Sequence, residues 1–285
     1  MLLSTVIPTL NEIENIGPCL ESARQLPGER LVVDESTDGT DRLAEKLGAR
    51  VLKGKFDGIS AVRNAALENV SGDYVFFLDA DERITPALAR EMINFLKERE
   101  SRGKAAGAMR RHNFAFGARA RFGPLFPDRV VRLFPRGEVE WTGKVHERAL
   151  FDLPVVDFKG PLLHHTYKDF ASYIAKQERF MRLWAEEARA RGKKADVFKA
   201  VGHSFFSFLK MFFLKLGILG GPVSWALCLY NSGAYTLGKY LLLADEAKGG
   251  GSKDPAENGG PPESEADGSA SEGGKDPISE GGSNK

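Results

Sequence analysis

The sequence predicts an α/β fold: a mostly parallel sheet with helices on both faces, followed by a helical region and a polar tail. Three observations lead there. Strand-like and helix-like segments alternate over roughly the first eighty residues, the pattern of a parallel, doubly wound sheet. Two apolar runs, Leu31-Val32-Val33 and Val75-Phe76-Phe77-Leu78, each end abruptly in acid, Asp34 and Asp79. Composition then changes twice downstream, first to aromatic and apolar, then to Gly, Ser, Glu and Asp.

Bulk composition sets limits. A chain of 285 residues with 42% hydrophobic content holds one large domain or two small ones. The formal charge of +1 gives no global attraction to nucleic acid, so polyanion binding must be local. The cysteines, Cys19 and Cys228, form neither a disulfide framework nor a zinc pattern, which suits a reducing compartment. Met1 to Pro8 lacks a basic leader, a long apolar run and a cleavage site, and reads as a first strand. A cytoplasmic protein is expected.

Each element has its reason. The first strand, residues 2–8, stops at Pro8, and Thr9-Leu10-Asn11-Glu12 leads into a helix with Ile13, Ile16, Leu20 and Ala23 on one face. Pro27-Gly28 ends that helix. Leu31-Val32-Val33-Asp34 is a second strand, and Ser36-Thr37-Asp38-Gly39-Thr40 turns into and caps a helix with Leu43, Ala44 and Leu47 apolar. Arg50-Val51-Leu52 is a third strand, and a helix from about Ile59 to Val70 precedes the fourth. Pro86 to Arg99 is a further helix. Residues 105–160 carry short β-like runs, arginines and aromatics, without a long helix. Residues 169–191 form a charged helix with Tyr173, Ile174, Phe180, Leu183 and Trp184 as its apolar face.

From Asp196 the chain is too aromatic for an exposed helix of an ordinary soluble protein. Phe205 to Lys215 fits a helix in a membrane interface, lysines toward headgroups, or a core helix packed on the main domain. Leu216 to Gly238 has no charge and is long enough to span a bilayer, but Gly220-Gly221-Pro222 interrupts it. Interfacial residence of Trp225, Tyr230, Tyr235 and Tyr240 is the preferred expectation over a span. Beyond about Lys248 the chain cannot bury enough apolar surface to offset ordering entropy, and a disordered tail is expected.

Three features place chemistry at the C-terminal edge of the sheet, where open α/β folds keep ligands. Pro8-Thr9-Leu10-Asn11-Glu12 offers backbone amides and Thr9 to a nucleotide, with Glu12 on ribose or as a helix cap. Asp34 is placed to accept from a base or ribose, or is a solvated strand end. Asp79 and Asp81, two apart in an extended segment, point the same way and can share one divalent cation.

The motifs Ile7-Pro8-Thr9-Leu10-Asn11-Glu12, Val32 to Thr40, Arg63-Asn64-Ala65-Ala66 and Phe77-Leu78-Asp79-Ala80-Asp81-Glu82 resemble, in order and spacing, family 2 glycosyltransferases of the GT-A (Rossmann-like) fold. The resemblance covers residues 1–165. Trp141 to Glu147 and Leu162-Leu163-His164-His165 are similar to a subgroup that includes lipopolysaccharide core β-glucosyltransferases. It implies that Pro8, Thr9, Asn11, Glu12, Asp34 and Asp79 bind the donor, usually a UDP-sugar, with Arg63 assisting or in a surface ion pair. It implies Asp81, with Asp79 and His164, as ligands of Mg²⁺ or Mn²⁺. Where family members place an aspartate base, His146-Glu147 stands here; Glu147 is taken as base and His146 as its orienting partner. His165 is expected to point away and pack. Arg129 and Arg132, alternating on a strand, meet an anionic acceptor or simply face solvent.

The expectation is therefore a metal-dependent inverting hexosyltransferase, glucose being the favoured sugar, at the inner face of the cytoplasmic membrane. Its acceptor is a lipopolysaccharide-core or other lipid-linked glycan, with no nucleic acid partner. Residues 1–165 form the transferase domain, 166–247 a helical membrane-associating region and 248–285 the tail. A nucleotidyltransferase and a non-catalytic membrane-associated glycan-binding protein are the alternatives. The first lacks a Gly-rich loop followed by Arg and Lys near the N-terminus; intact Asp79, Asp81 and Glu147 argue against the second.

Overall fold

The computed structural model describes residues 1–143 and 147–245. The expected disordered tail, and His146, lie outside the described residues. The parallel half of the sheet comprises β1 (Leu3–Thr9), β2 (Glu29–Asp34), β3 (Arg50–Lys53) and β4 (Tyr74–Phe77), in the order β3-β2-β1-β4. Between them run α1 (Ile13–Ala23), α2 (Thr40–Lys46) and α3 (Ile59–Asn69).

Strand alternation gives this half its two cores. Leu3, Ile7, Val32, Phe76 and Leu78 pack with α1 and α2 on one face, beside α4 (Pro86–Arg102). Val6, Leu31, Val33, Val75 and Phe77 pack on the other face with Val62 and Ala66 of α3. The turn from α1 into β2 depends on Gly28, whose φ is +98° and where a Cβ would stand 1.9 Å from the Leu3 carbonyl oxygen. Residues 105–160 are more regular than expected. After β5 (Glu82–Ile84) and α4 come β6 (Ala106–Ala115), β7 (Ala118–Arg119), β8 (Arg129–Pro135), β9 (Glu140–Thr142), β10 (Arg148–Leu150), β11 (Val155–Asp157) and β12 (Leu162–Tyr167).

The sheet continues β4-β8-β6-β12-β5, with β4-β8, β8-β6 and β12-β5 antiparallel and β6-β12 parallel. The parallel half is the one expected, and the antiparallel pairs are concentrated around β8. That strand follows β6 with no helix between them, so it runs against β6 and against β4. Register keeps the donor-side edge level, pairing Thr9 with Asp34 and Val6 with Phe77.

Helix α5 (Phe170–Ala190) is capped by Asp169, whose side chain accepts from Ser172 N. The face carrying Tyr173, Gln177, Ala185 and Ala188 is buried. Helix α6 (Val197–Leu209) runs on as a π-helical turn to Leu214. The stretch read as a marginal span is broken: a 3₁₀ turn covers Gly217–Gly220, α7 covers Gly221–Leu229, a π-helical segment Tyr230–Leu237 and α8 Gly238–Asp245. Pro222 sits in the first turn of α7, where its missing N–H costs nothing. Among the described residues it is Val197–Leu214 that is long and apolar enough to cross a bilayer by length and composition, with 6% of it buried.

Candidate active site

The loop Leu78–Asp81 follows β4 and does not extend it, so Asp79 and Asp81 are not an alternating strand pair. Glu82 creates the bend. Fully buried, it accepts from Asp79 N at 2.9 Å through Oε2, while its own N–H donates to Asp79 O at 2.9 Å. Burial and then the Asp79 charge push the Glu82 carboxyl above its ordinary range, and Arg111, 3.2 Å from Oε1, offsets part of this.

Asp79 is held by two arginines. Arg63 Nη2 donates to Oδ1 at 2.8 Å and Arg132 Nη2 to Oδ2 at 2.5 Å. Burial would raise the Asp79 carboxyl, but Arg132 and Arg63 outweigh it and hold the group well below the carboxylate range. Arg132 therefore corrects the sequence reading. Three residues apart on β8, Arg129 and Arg132 face opposite ways: Arg129 pairs with Asp157 at 2.5 Å on the outside, and Arg132 is buried in the site.

Arg63 is also buried, and not in a surface pair. Its guanidinium lies 4.2 Å from the Trp141 ring centroid, and Nη1 stands 2.9 Å from Glu147 Oε1 in an ion pair off hydrogen-bond alignment. Burial lowers the Arg63 pKa, and repulsion from Arg132 adds to that. The neighbouring Asn64 explains why Arg and Asn occur together. Its Nδ2 donates to Trp141 O at 2.8 Å and its Oδ1 accepts from Trp141 N at 2.9 Å, fixing the ring over the guanidinium. Ser60 Oγ donates to Gly143 O at 2.6 Å, so α3 holds the segment leading toward Glu147.

Asp81 faces His164 instead of Asp79, with Oδ2 3.3 Å from Nε2. Asn113 sets the ring. Its Nδ2 donates to Leu125 O at 2.7 Å and Asp128 Oδ2 at 2.9 Å, so its Oδ1 must face His164 Nδ1, 2.6 Å away. Nδ1 donates to that oxygen, and Nε2 faces the Asp81 carboxylate. A proton or a divalent cation can sit between the two, and outer-sphere support of this kind is what orients metal-binding imidazoles. The donor set fits Mg²⁺ or Mn²⁺, which take one or two carboxylates and fill their shells with water and substrate phosphate. No group of three or more acidic, His or Cys ligands occurs among the described residues. His165 stacks on Phe114, centroids 5.3 Å apart.

The first motif serves the turn more than the cleft. Asp34 is buried, with Thr9 Oγ1 donating to Oδ1 at 2.6 Å and Ser36 N to Oδ2 at 3.1 Å. Asn11, at φ 57°, donates from its backbone to Ser36 Oγ and accepts from Thr37 N. Neither Asn11 nor Glu12 caps α1 with its side chain. Asp38 does so from the next loop, accepting from Ile13 N at 3.1 Å. Pro8, Thr9, Glu12, Arg63, Asp79, Asp81, Glu147 and His164 line one cleft of about 1450 Å³; exposed Asn11 and buried Asp34 are not part of its lining. The Glu12 carboxyl is raised by burial despite its bond with Asn15. A second cavity of about 820 Å³, between α5 and α8, is largely apolar and holds none of these groups.

With the cleft described, its residues can be set beside known proteins. Residues 4–121 match the model of "Glycosyl transferase family 2". The chain contains a glycosyl transferase family 2 domain. The domain's acid-tipped strands and Arg63-Asn64 motif all lie inside that match. Over 225 residues the chain is 28% identical to the "Lipopolysaccharide core biosynthesis glycosyltransferase LpsC" of Rhizobium meliloti, covering 74% of this chain and 80% of that protein. It is 26% identical over 227 residues to an uncharacterized glycosyltransferase of Rickettsia prowazekii, covering 75% and 77%. Among solved structures it resembles S. aureus TarS 1-349 in complex with UDP-GlcNAc, with TM-score 0.44 and 16% identity over 87% of this chain and 92% of that one. The fold is α/β, as the sequence implies.

Sequence reasoning missed three contributors, Trp141 as the platform for Arg63, Asn113 as the orienter of His164 and buried Glu82, and did not see Arg132 as a partner of Asp79. A charged residue inside an apolar run was the available signal for Arg132.

Proposed function

We propose that this transferase domain moves a hexose, glucose first among candidates, from a UDP-sugar to a lipopolysaccharide-core or other lipid-linked glycan, with inversion. The observation that carries it is the cleft floor. Asp81 and His164 face each other 3.3 Å apart, beside Asp79 and Glu147, which Arg63 joins. The role named for the Rhizobium relative supports the acceptor class.

Asp81 and His164 are the residues that would hold Mg²⁺ or Mn²⁺ with the donor diphosphate; when bound, the ion neutralises charge on the departing diphosphate. Thr9, Glu12 and the backbone between them line the donor side, while Asp34 braces Thr9 and Asn11 braces the turn at Ser36 and Thr37. Glu147, at the cleft surface, takes the proton of the acceptor hydroxyl. That oxygen bonds to the anomeric carbon from the side opposite the diphosphate, and the sugar–phosphate bond breaks. Arg63 fixes Glu147 relative to Asp79, so donor and base stay in register.

Association with the cytoplasmic face of the membrane is part of the proposal. Phe198 is 90% exposed, Leu214 81% and Phe206 69%, beside Leu219, Leu229 and Trp225. Large apolar side chains exposed in this number over one helical region mark an interaction surface. The decisive experiment measures UDP release from a panel of UDP-sugars with Mn²⁺, with Mg²⁺ and with EDTA, plus extracted lipid acceptors. Metal-dependent release from one sugar is expected; silence with every donor and acceptor would falsify the reading.

A further inference from the structure

We propose that the acceptor carries an anionic group, phosphate or carboxylate, bound by Lys176 and Arg179 of α5. This rests on the transferase reading and names the substrate class of the same cleft. The charge inventory leads to it. Arg63, Arg111 and Arg132 line the cleft, and each has an acid within 3.2 Å: Asp79 and Glu147, Glu82 and Asp128, and Asp79 respectively. Those cations are used in holding the floor together.

Lys176 and Arg179 line the cleft from the opposite direction, on an exposed face of α5. Neither makes an ion pair among the described residues. Lys176 rests over the Tyr167 ring, its Nζ 5.6 Å from the centroid, and acts on Glu12 through space. One helical turn apart, the two side chains lie on the same side and reach the same volume. Arg148 of β10, also without an ion pair among the described residues, lines the cleft as well. With no ion pair to hold them among the described residues, these cations are available to an anion entering the cleft.

The donor is not the natural source of that anion. Its diphosphate has a place at Asp81 and His164, on the sheet edge. Farther along α5 the lining turns apolar, at Phe180 and Leu183. A saccharide with its anionic group on Lys176 and Arg179 and an apolar aglycone along Phe180 and Leu183 matches this order. The long, rotatable side chains adapt to phosphate or carboxylate, and Arg179 can grip either with two parallel hydrogen bonds.

The test uses the full chain with its preferred UDP-sugar and Mn²⁺ and three acceptors: a neutral alkyl glycoside, its phosphate monoester and its uronic acid counterpart. A charged acceptor is expected to show KM about tenfold or more below the neutral one, an advantage that shrinks as salt rises. Whichever charged form is lower identifies the group. In the Lys176→Gln, Arg179→Gln double variant that advantage falls to near unity while the donor KM holds, and Arg179→Lys restores part of it. Equal KM for neutral and charged acceptors in the wild type overturns the proposal. So does a double variant whose donor KM rises as much as its acceptor KM, which assigns the cations to the diphosphate. Failure of the transferase reading looks different: no metal-dependent UDP release from any donor.

Discussion

Arg63 and Glu147 stand 2.9 Å apart with the arginine side chain 1% exposed and the glutamate 28% exposed, so one member of the pair is interior and the other faces the cleft. The same guanidinium bonds Asp79. Replacing Arg63 by Met leaves Glu147 without its partner and removes one of two clamps on buried Asp79. Loss of about 3–5 kcal/mol of stability is expected, the usual cost of breaking a buried pair, and urea denaturation measures it. Arg63→Lys keeps the charge but cannot reach both acids in plane, and turnover should fall even where the fold holds.

Glu147→Gln keeps the shape and removes the proton acceptor. Turnover is expected to fall by about 10²- to 10⁴-fold, with donor affinity by calorimetry changed less than about threefold. Wild-type turnover in that variant would remove Glu147 from the mechanism.

Asn113→Leu tests the Asp81–His164 pair through a residue that does not itself line the cleft. Without the Asn113 carbonyl, His164 loses its fixed tautomer and orientation. Mn²⁺ affinity, read by paramagnetic resonance with UDP present, should drop by about 10- to 100-fold. Unchanged affinity means that His164 is no ligand.

Glu29 gives a pH prediction remote from the cleft. Partial burial raises its carboxyl, but bonds from Ser4, from Ser71 N and Oγ, and from Arg50 overcome this and hold it at about 2. A folded pKa below the unfolded value of 4.5 adds stability that is present above pH 4.5 and lost as pH falls toward about 2. Glu29→Gln should therefore be less stable than wild type at pH 7, with the gap closing below pH 4.5. Denaturation midpoints at neutral and acid pH check it.

Phe206→Glu with Leu214→Glu places two carboxylates on the exposed apolar face. Co-sedimentation with anionic vesicles should fall by about tenfold or more while UDP release persists. Undiminished binding would move the membrane contact elsewhere.

The two halves of the sheet differed in how well they could be read. Strands β1 to β4 and their helices were legible because each carries its own periodicity, and the acid tips fell at the strand ends as the apolar runs required. Strand β8 showed only as a short β-like run, and β6 and β12 were not delimited. Polar residues in them, such as Arg132, Asn113 and His164, interrupt the alternation, and their partners lie far away in sequence. The Asp79-Ala80-Asp81 spacing was read as extended; buried Glu82 bends it, a tertiary effect that no local pattern carries.

The sequence alone determined that acids gather at one sheet edge, because an apolar strand that stops in carboxylates can put them nowhere else. It also determined the family resemblance, through four motifs in order. Tertiary structure decided what each acid does. Asp79 is claimed by Arg63 and Arg132, Asp34 by Thr9 and Ser36, and only Asp81 is left facing an imidazole that Asn113 holds open. For Asp79 the partners lie 16 and 53 positions away, since inside the fold a carboxylate takes the nearest donor in space, whatever its place in the chain.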